Sequence, residues 1–189
     1  MITGLRMLGA GYQLNRGVAD VAFARNQALS WVCQVLREQP KRDMVLMIDD
    51  DIFAEPGTIQ EIVTRTRRLQ QPCTAVYTTK ESKLAGARLQ SKPGFWLFGL
   101  GCMAIPRTAL LNLEARSESY EHDGKRYTAF CSTGPERGVW IAEDFRLCLN
   151  LGGVRLLPIG VAHVKRWPLW PGKQTLEKLH EEAKEHEQT

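Results

Sequence analysis

One short segment constrains this chain more than any other: Val45-Leu-Met-Ile48, run directly into Asp49-Asp50-Asp51. Four consecutive apolar residues suit a strand buried on both faces of a parallel sheet. The three carboxylates then fall at the carboxyl end of that strand, where ligands bind in open α/β sheets. Extended backbone would point Asp49 and Asp51 to one side, while a turn directly after the strand would converge them on one divalent cation. Three adjacent like charges repel, so a partly buried cluster favours a metal. Hard carboxylate oxygens suit Mg²⁺ or Mn²⁺. A solvated acidic turn is the bland alternative.

The flanking sequence predicts alternating helices and strands. Apolar residues at helical spacing run from Val18 to about Arg37 and stop at Pro40. Pro56 suits the first turn of a second helix carrying Ile59, Ile62, Val63 and Leu69 on its inner face. Cys73 to Thr79 reads as a strand, and FWLFGLGCMAI as another strand or pair of strands. Pro106 to Leu113 reads as a short helix, and residues 114–138 as a long surface excursion. Ile141 to Leu151 reads as a helix stopped by Gly152 and Gly153. VRLLPI is the last core strand. The fold class expected is α/β: one Rossmann-like domain with a mostly parallel central sheet flanked by helices. Residues 1–172 form that domain, and a charged helix closes the chain over 173–189.

Composition excludes several classes. The chain has 189 residues, 43% hydrophobic and 24% charged, which is ordinary globular usage with enough length for one sizeable core. The longest mostly apolar stretch, Phe95 to Ile105, is about half of the roughly 20 residues a membrane span needs. The N-terminus lacks the pattern of a signal peptide. Five cysteines, Cys33, Cys73, Cys102, Cys131 and Cys148, are odd in number and form no C-x-x-C pair. That spacing argues against a disulfide framework or a structural zinc site, and for a reducing, cytoplasmic setting. Residues 173–189 hold three Lys and five Glu, so the net charge of +4 divides as −2 there and +6 on residues 1–172. Such a balance fits either a solvated surface or attraction to a polyanion: a nucleotide diphosphate, an acidic polymer or nucleic acid.

Two further groups are candidates for chemistry. Glu143-Asp144 lies near the start of a helix, where the dipole favours an ionised carboxylate; the pair reads as a general base or as a helix-start feature. His163 follows the last strand and is succeeded by Lys165, Arg166, Trp167 and Trp170 among two prolines. That segment reads as a semi-rigid flap over an anionic ligand, its donors neutralising phosphate charge, or as a packed tail.

In order along the chain, ARNQAL (Ala24 to Leu29), VLMIDDDI, GLGCMAIPR, AEDFRLCLNLGG and the late His163 resemble GT-A-fold glycosyltransferases, especially family 2-like ones with a DXD motif. The resemblance spans about residues 19 to 167. It implies donor-side roles for Arg25, Asn26, Asp49, Asp50, Gly99, Gly101, Lys165 and Arg166, and metal ligation by Asp51, Asp49 and His163. It implies Asp144 as the base that deprotonates the acceptor hydroxyl, supported by Glu143. Trp96, Trp140 and Trp167 stand as acceptor-side aromatics. The activity implied is transfer of a sugar, with inversion, from a nucleotide-diphosphate sugar (a UDP-sugar favoured) with Mn²⁺ or Mg²⁺. The acceptor is a glycan, a small molecule or, as in small phage-type transferases, a hydroxymethylated base in DNA.

The sequence departs from the family at its start. The opening strand and helix that hold the nucleobase have no clear counterpart, and LRMLGAGYQL is the one early strand candidate. The departure leaves the expectation that the first β-α unit is lost, replaced by a partner chain or omitted through a downstream start. Two other classes compete: a sugar-nucleotide or polyanion binding module without turnover, and a metal-dependent nucleotidyltransferase. No Walker-type glycine-lysine loop is present, which weakens the latter. The sequence leaves a homo-oligomer open.

Overall fold

The computed structural model describes residues 20–49, 51–77, 84, 86–136, 138–164, 168–169 and 176–181. Helix α1 (Val21–Glu38) begins where Asp20 caps it, its side chain accepting from Phe23 N at 3.0 Å. Its inner face buries Leu29, Cys33 and Leu36. Strand β1 (Met44–Ile48) follows, then the short β2 (Ile52–Phe53) and helix α2 (Pro56–Leu69). Pro56 starts α2 as expected of a residue without an amide donor, and Ile59 and Ile62 point into the core.

The order continues through β3 (Cys73–Val76), β4 (Gly86–Arg88), β5 (Phe95–Phe98), β6 (Cys102–Pro106) and helix α3 (Arg107–Arg116). The expected surface excursion holds two hairpins, β7 (Ser119–His122) with β8 (Lys125–Thr128), and β9 (Gly134–Glu136) with β10 (Val139–Ile141), the last taking Ile141 from the start of the expected helix. The tight turn of the first uses positive φ at Asp123 and Gly124. Helix α4 (Glu143–Asn150) then leads into β11 (Val154–Gly160), β12 (Ala162–Val164) and β13 (Pro168–Leu169). A helical turn and a half, α5, covers residues 176–181. The remainder of the expected charged C-terminal helix lies outside the described residues. The surface excursion thus carries paired strands, largely exposed or half-buried, because each hairpin satisfies its backbone groups locally.

The central sheet has six strands in the order β1-β6-β3-β11-β5-β4. Among the described residues its only parallel pairing is β3 with β11; β1–β6, β3–β6, β11–β5 and β4–β5 are antiparallel. The sheet is therefore mixed, which corrects the expectation of a mostly parallel one. Two strands reverse the direction: β6, whose five residues are all buried, runs against both β1 and β3, and β5 runs against both β11 and β4. A fully apolar strand reads the same in sequence whichever way it runs, so burial alone could not disclose its direction. The core is one continuous apolar cluster reaching from Leu29 in α1 through Ile62, Met103, Ile105 and Leu147 to Leu179 in α5. No helix among the described residues is long and apolar enough to cross a membrane.

All five cysteines are buried and free. Burial pushes the thiols up, to about 11 for Cys73 and about 12 for Cys33, Cys102, Cys131 and Cys148. At neutral pH they are small core hydrophobes rather than nucleophiles.

Candidate functional site

The site lies at the carboxyl end of β1. The Asp49 amide donates to Gly101 O at 3.0 Å, and the Ile52 amide returns to Asp49 O at 3.2 Å. Asp49 is thus pinned to the glycine segment, and the backbone turns between Asp49 and Ile52. Asp51 sits in this turn, half-buried. Asp50 lies outside the described residues. Strand β12 runs antiparallel to β2 with His163 opposite Ile52, so the backbone of His163 is in register beside the residue that follows Asp51. Among the described residues no group of three or more His, Cys, Asp or Glu side chains is gathered to hold a metal.

Glu143 and Asp144 occupy the first turn of α4, reached from a different part of the chain. Arg25, on the second turn of α1, joins the two acidic groups. Its Nη1 donates to Glu143 Oε1, and its Nη2 lies 3.2 Å from Asp49 Oδ2 and 3.4 Å from Oδ1. The Arg25 side chain is only 12% exposed. Burial works against its charge, but the carboxylates of Asp49, Glu143 and Asp144 outweigh that and raise its pKa above the ordinary value. At Asp144 the neutral form is the one favoured. Desolvation raises its pKa above the ordinary range, aided by neighbouring Glu143 and opposed by the Phe145 N–H and by Arg25. A buried carboxylate with a raised pKa is the better proton acceptor.

The two glycines of GLG also have a clear tertiary reason. A Cβ added at Gly99 would lie 1.8 Å from Tyr77 Oη and 3.5 Å from Asp144 Oδ2. One added at Gly101 would press on Ile52 at 2.9 Å and on the Tyr77 ring at 3.0 Å. The space the glycines leave is thus occupied by the protein's own Tyr77. The phenol is buried, packs edge-on against Phe98 with centroids 5.2 Å apart, and accepts from Gly101 N at 3.4 Å. Burial raises its pKa, the Gly101 N–H opposing and Asp49 and Asp144 adding. Tyr77 was missed from sequence. One signal was available: it follows β3 directly, just as Asp49 follows β1, and the rule for strand ends applies to both.

The other expected residues are distributed as follows. Asn26 is buried, and its carboxamide bonds the Cys131 backbone in both directions, Nδ2 to O at 2.9 Å and Cys131 N to Oδ1 at 3.0 Å. It fastens α1 to the segment before β9. Trp96 lies on β5 with the Arg88 guanidinium 5.3 Å above its ring. Trp140 stands on β10, 70% exposed, three residues before Glu143, and the Arg146–Glu136 ion pair ties its hairpin to α4. Lys165, Arg166 and Trp167 lie outside the described residues. Arg25, Asp49, Gly99, Gly101, Glu143 and Asp144 are therefore brought together, with Tyr77 added. Compared with protein-family models, with curated proteins and with solved structures, the chain matches none.

Proposed function

We propose that the protein is a nucleotide-sugar-dependent glycosyltransferase. The observation that carries the reading is the meeting, through Arg25, of the acidic turn after β1 with the Glu143-Asp144 pair of α4, 118 residues from Arg25 in sequence. Two acidic groups at one end of a sheet give the two functions this transfer needs, one toward the leaving diphosphate and one toward the attacking hydroxyl.

Asp144 is the general base. As the acceptor oxygen bonds to the anomeric carbon, Asp144 takes the hydroxyl proton and the bond from that carbon to the diphosphate oxygen breaks. A positioned base of this kind contributes roughly 10²–10⁴-fold. Attack opposite the leaving group inverts the sugar carbon. The carboxylates Asp49 and Asp51 are hard donors of the type Mn²⁺ and Mg²⁺ take, with Asp51 the main ligand that the family resemblance implies. A divalent ion held there would supply Lewis-acid stabilisation of the departing diphosphate. Trp140 offers an exposed aromatic face on the acceptor side. The acceptor is a glycan or a hydroxymethylated DNA base. DNA binding would weaken steeply with salt.

The test is a screen of UDP-, GDP- and other nucleotide sugars with Mn²⁺, reading nucleoside diphosphate release in the wild type and in Asp144→Asn. Release by the wild type, lost in the variant with donor binding retained, supports the reading. Pyrophosphate release would identify a nucleotidyltransferase instead, and binding without product a non-catalytic module.

A further inference from the structure

Arg25 is the one cation described inside the site, and its surroundings say what it is for. A guanidinium presents five N–H donors in a rigid fork, and here the two prongs face different elements. One holds Glu143 at the start of α4, the other Asp49 at the end of β1. Glu143 is itself only 20% exposed, so the pair is largely screened from solvent. Helix α4 has an N-cap, Ala142, that offers no side-chain cap, although Asp144 Oδ1 accepts from the first-turn Phe145 amide at 2.7 Å. Once Glu143 is held, Asp144 is fixed one residue further on, about 100° around the helix. That rotation turns it toward Gly99, where its Oδ2 lies 3.5 Å from the position a Cβ would take.

An anion approaching Arg25 would have to displace one of two carboxylates already seated on it, and would meet their charge as it came. We propose that Arg25 is a positioning residue rather than a diphosphate ligand: by clamping Glu143 against Asp49 it sets the place of the Asp144 carboxylate. This rests on the glycosyltransferase reading for its kinetic consequence, but the clamp itself can be measured without turnover.

The experiment compares Arg25→Gln, Arg25→Lys, Glu143→Gln and the double variant Arg25→Gln/Glu143→Gln. UDP binding with Mn²⁺ is read by calorimetry, turnover by nucleoside diphosphate release, and backbone order by amide hydrogen exchange. Lysine keeps the charge but cannot fork between two carboxylates, so it should bind UDP within about twofold of wild type and still lose kcat. Misplacing Asp144 should lower kcat by roughly 10–10²-fold with little change in donor KM. Glu143→Gln should do the same, and the double variant should be no worse than the worse single one. Amides 145–149 should exchange faster in Arg25→Gln than in wild type. Tenfold weaker UDP binding in both Arg25 variants, with Glu143→Gln binding normally, would overturn the proposal and make Arg25 a diphosphate ligand. Additive losses in the double variant would overturn it too. Should the wild type turn over no donor, the glycosyltransferase reading fails by itself. The clamp then stands or falls on exchange in α4: unchanged protection in Arg25→Gln sinks it.

Discussion

Strand β1 has an aspartate just before it and another just after it, and each meets an arginine, yet the two ends differ in kind. At the start, Asp43 pairs with Arg67 of α2 through Nη2 at 3.2 Å and a closer Nε contact, with both side chains about half exposed. At the far end, Asp49 shares Arg25 with Glu143, and the guanidinium is almost wholly covered. The Arg67 hydrogen bond lowers the Asp43 pKa, against slight desolvation, but water and salt screen such a pair. The Arg25 knot links three elements and cannot relax into solvent. Like residue types therefore pair at the surface at one end of the strand and join three elements under cover at the other; burial makes the difference.

The comparison is sharpened first at Asp144. Asp144→Asn should lower transfer by roughly 10²–10⁴-fold while melting higher than wild type near neutrality. The sign follows from burial: the folded state holds the Asp144 proton more tightly than the unfolded chain does, so ionisation costs stability. That cost is complete above the raised folded pKa, shrinks as pH falls through it, and is gone below the ordinary carboxylate range. The thermal advantage of Asp144→Asn should fade over that same window in melts taken from pH 7 downward. A variant that is less stable at neutral pH would show that Asp144 is structural.

Next in size is Arg25→Ala, which leaves two partly buried carboxylates without their shared cation. We expect a loss on the order of 2 kcal/mol in urea unfolding, below the usual figure for a fully buried pair because Asp49 is partly exposed. Gly99→Ala should cost about 1–3 kcal/mol by overpacking, since its Cβ would fall within bonding distance of Tyr77 Oη. Tyr77→Phe should recover part of that loss in the double variant, the nearest remaining ring atom, Cζ, lying 2.9 Å away. Simple additivity of the two changes would remove Tyr77 as the reason for the glycine. The smallest effect belongs to the surface end. Arg67→Ala should change stability by less than about 1 kcal/mol, and less still at high salt. A loss equal to that of Arg25→Ala would erase the contrast between the ends.

Much of the local structure was legible in sequence. The helical spacing of Leu29, Val32 and Leu36 announced α1, Pro56 placed the start of α2, and the apolar run before Asp49 marked β1, which is however half-buried and antiparallel to β6 rather than buried on both faces of a parallel sheet. Glycines 152 and 153 marked the exit from α4, and both adopt positive φ. These signals act over a few residues, through propensity and alternation, and so survive in one dimension. Asn26 shows where such reading stops: its neighbour Arg25 enters the site, while its own carboxamide turns to the backbone of Cys131, 105 residues away.

The sequence by itself determined that this is an α/β chain with a carboxylate cluster where a strand leaves the core, because apolar runs and charges sort by burial wherever they fall. Only the tertiary structure decided the direction of β6, the partners of Arg25 and the need for glycine opposite Tyr77. A buried strand exposes no face to report its direction, and the choice of ion-pair partner is made across 24 and 118 residues of chain. Those choices depend on which elements pack side by side, and therefore on the fold as a whole.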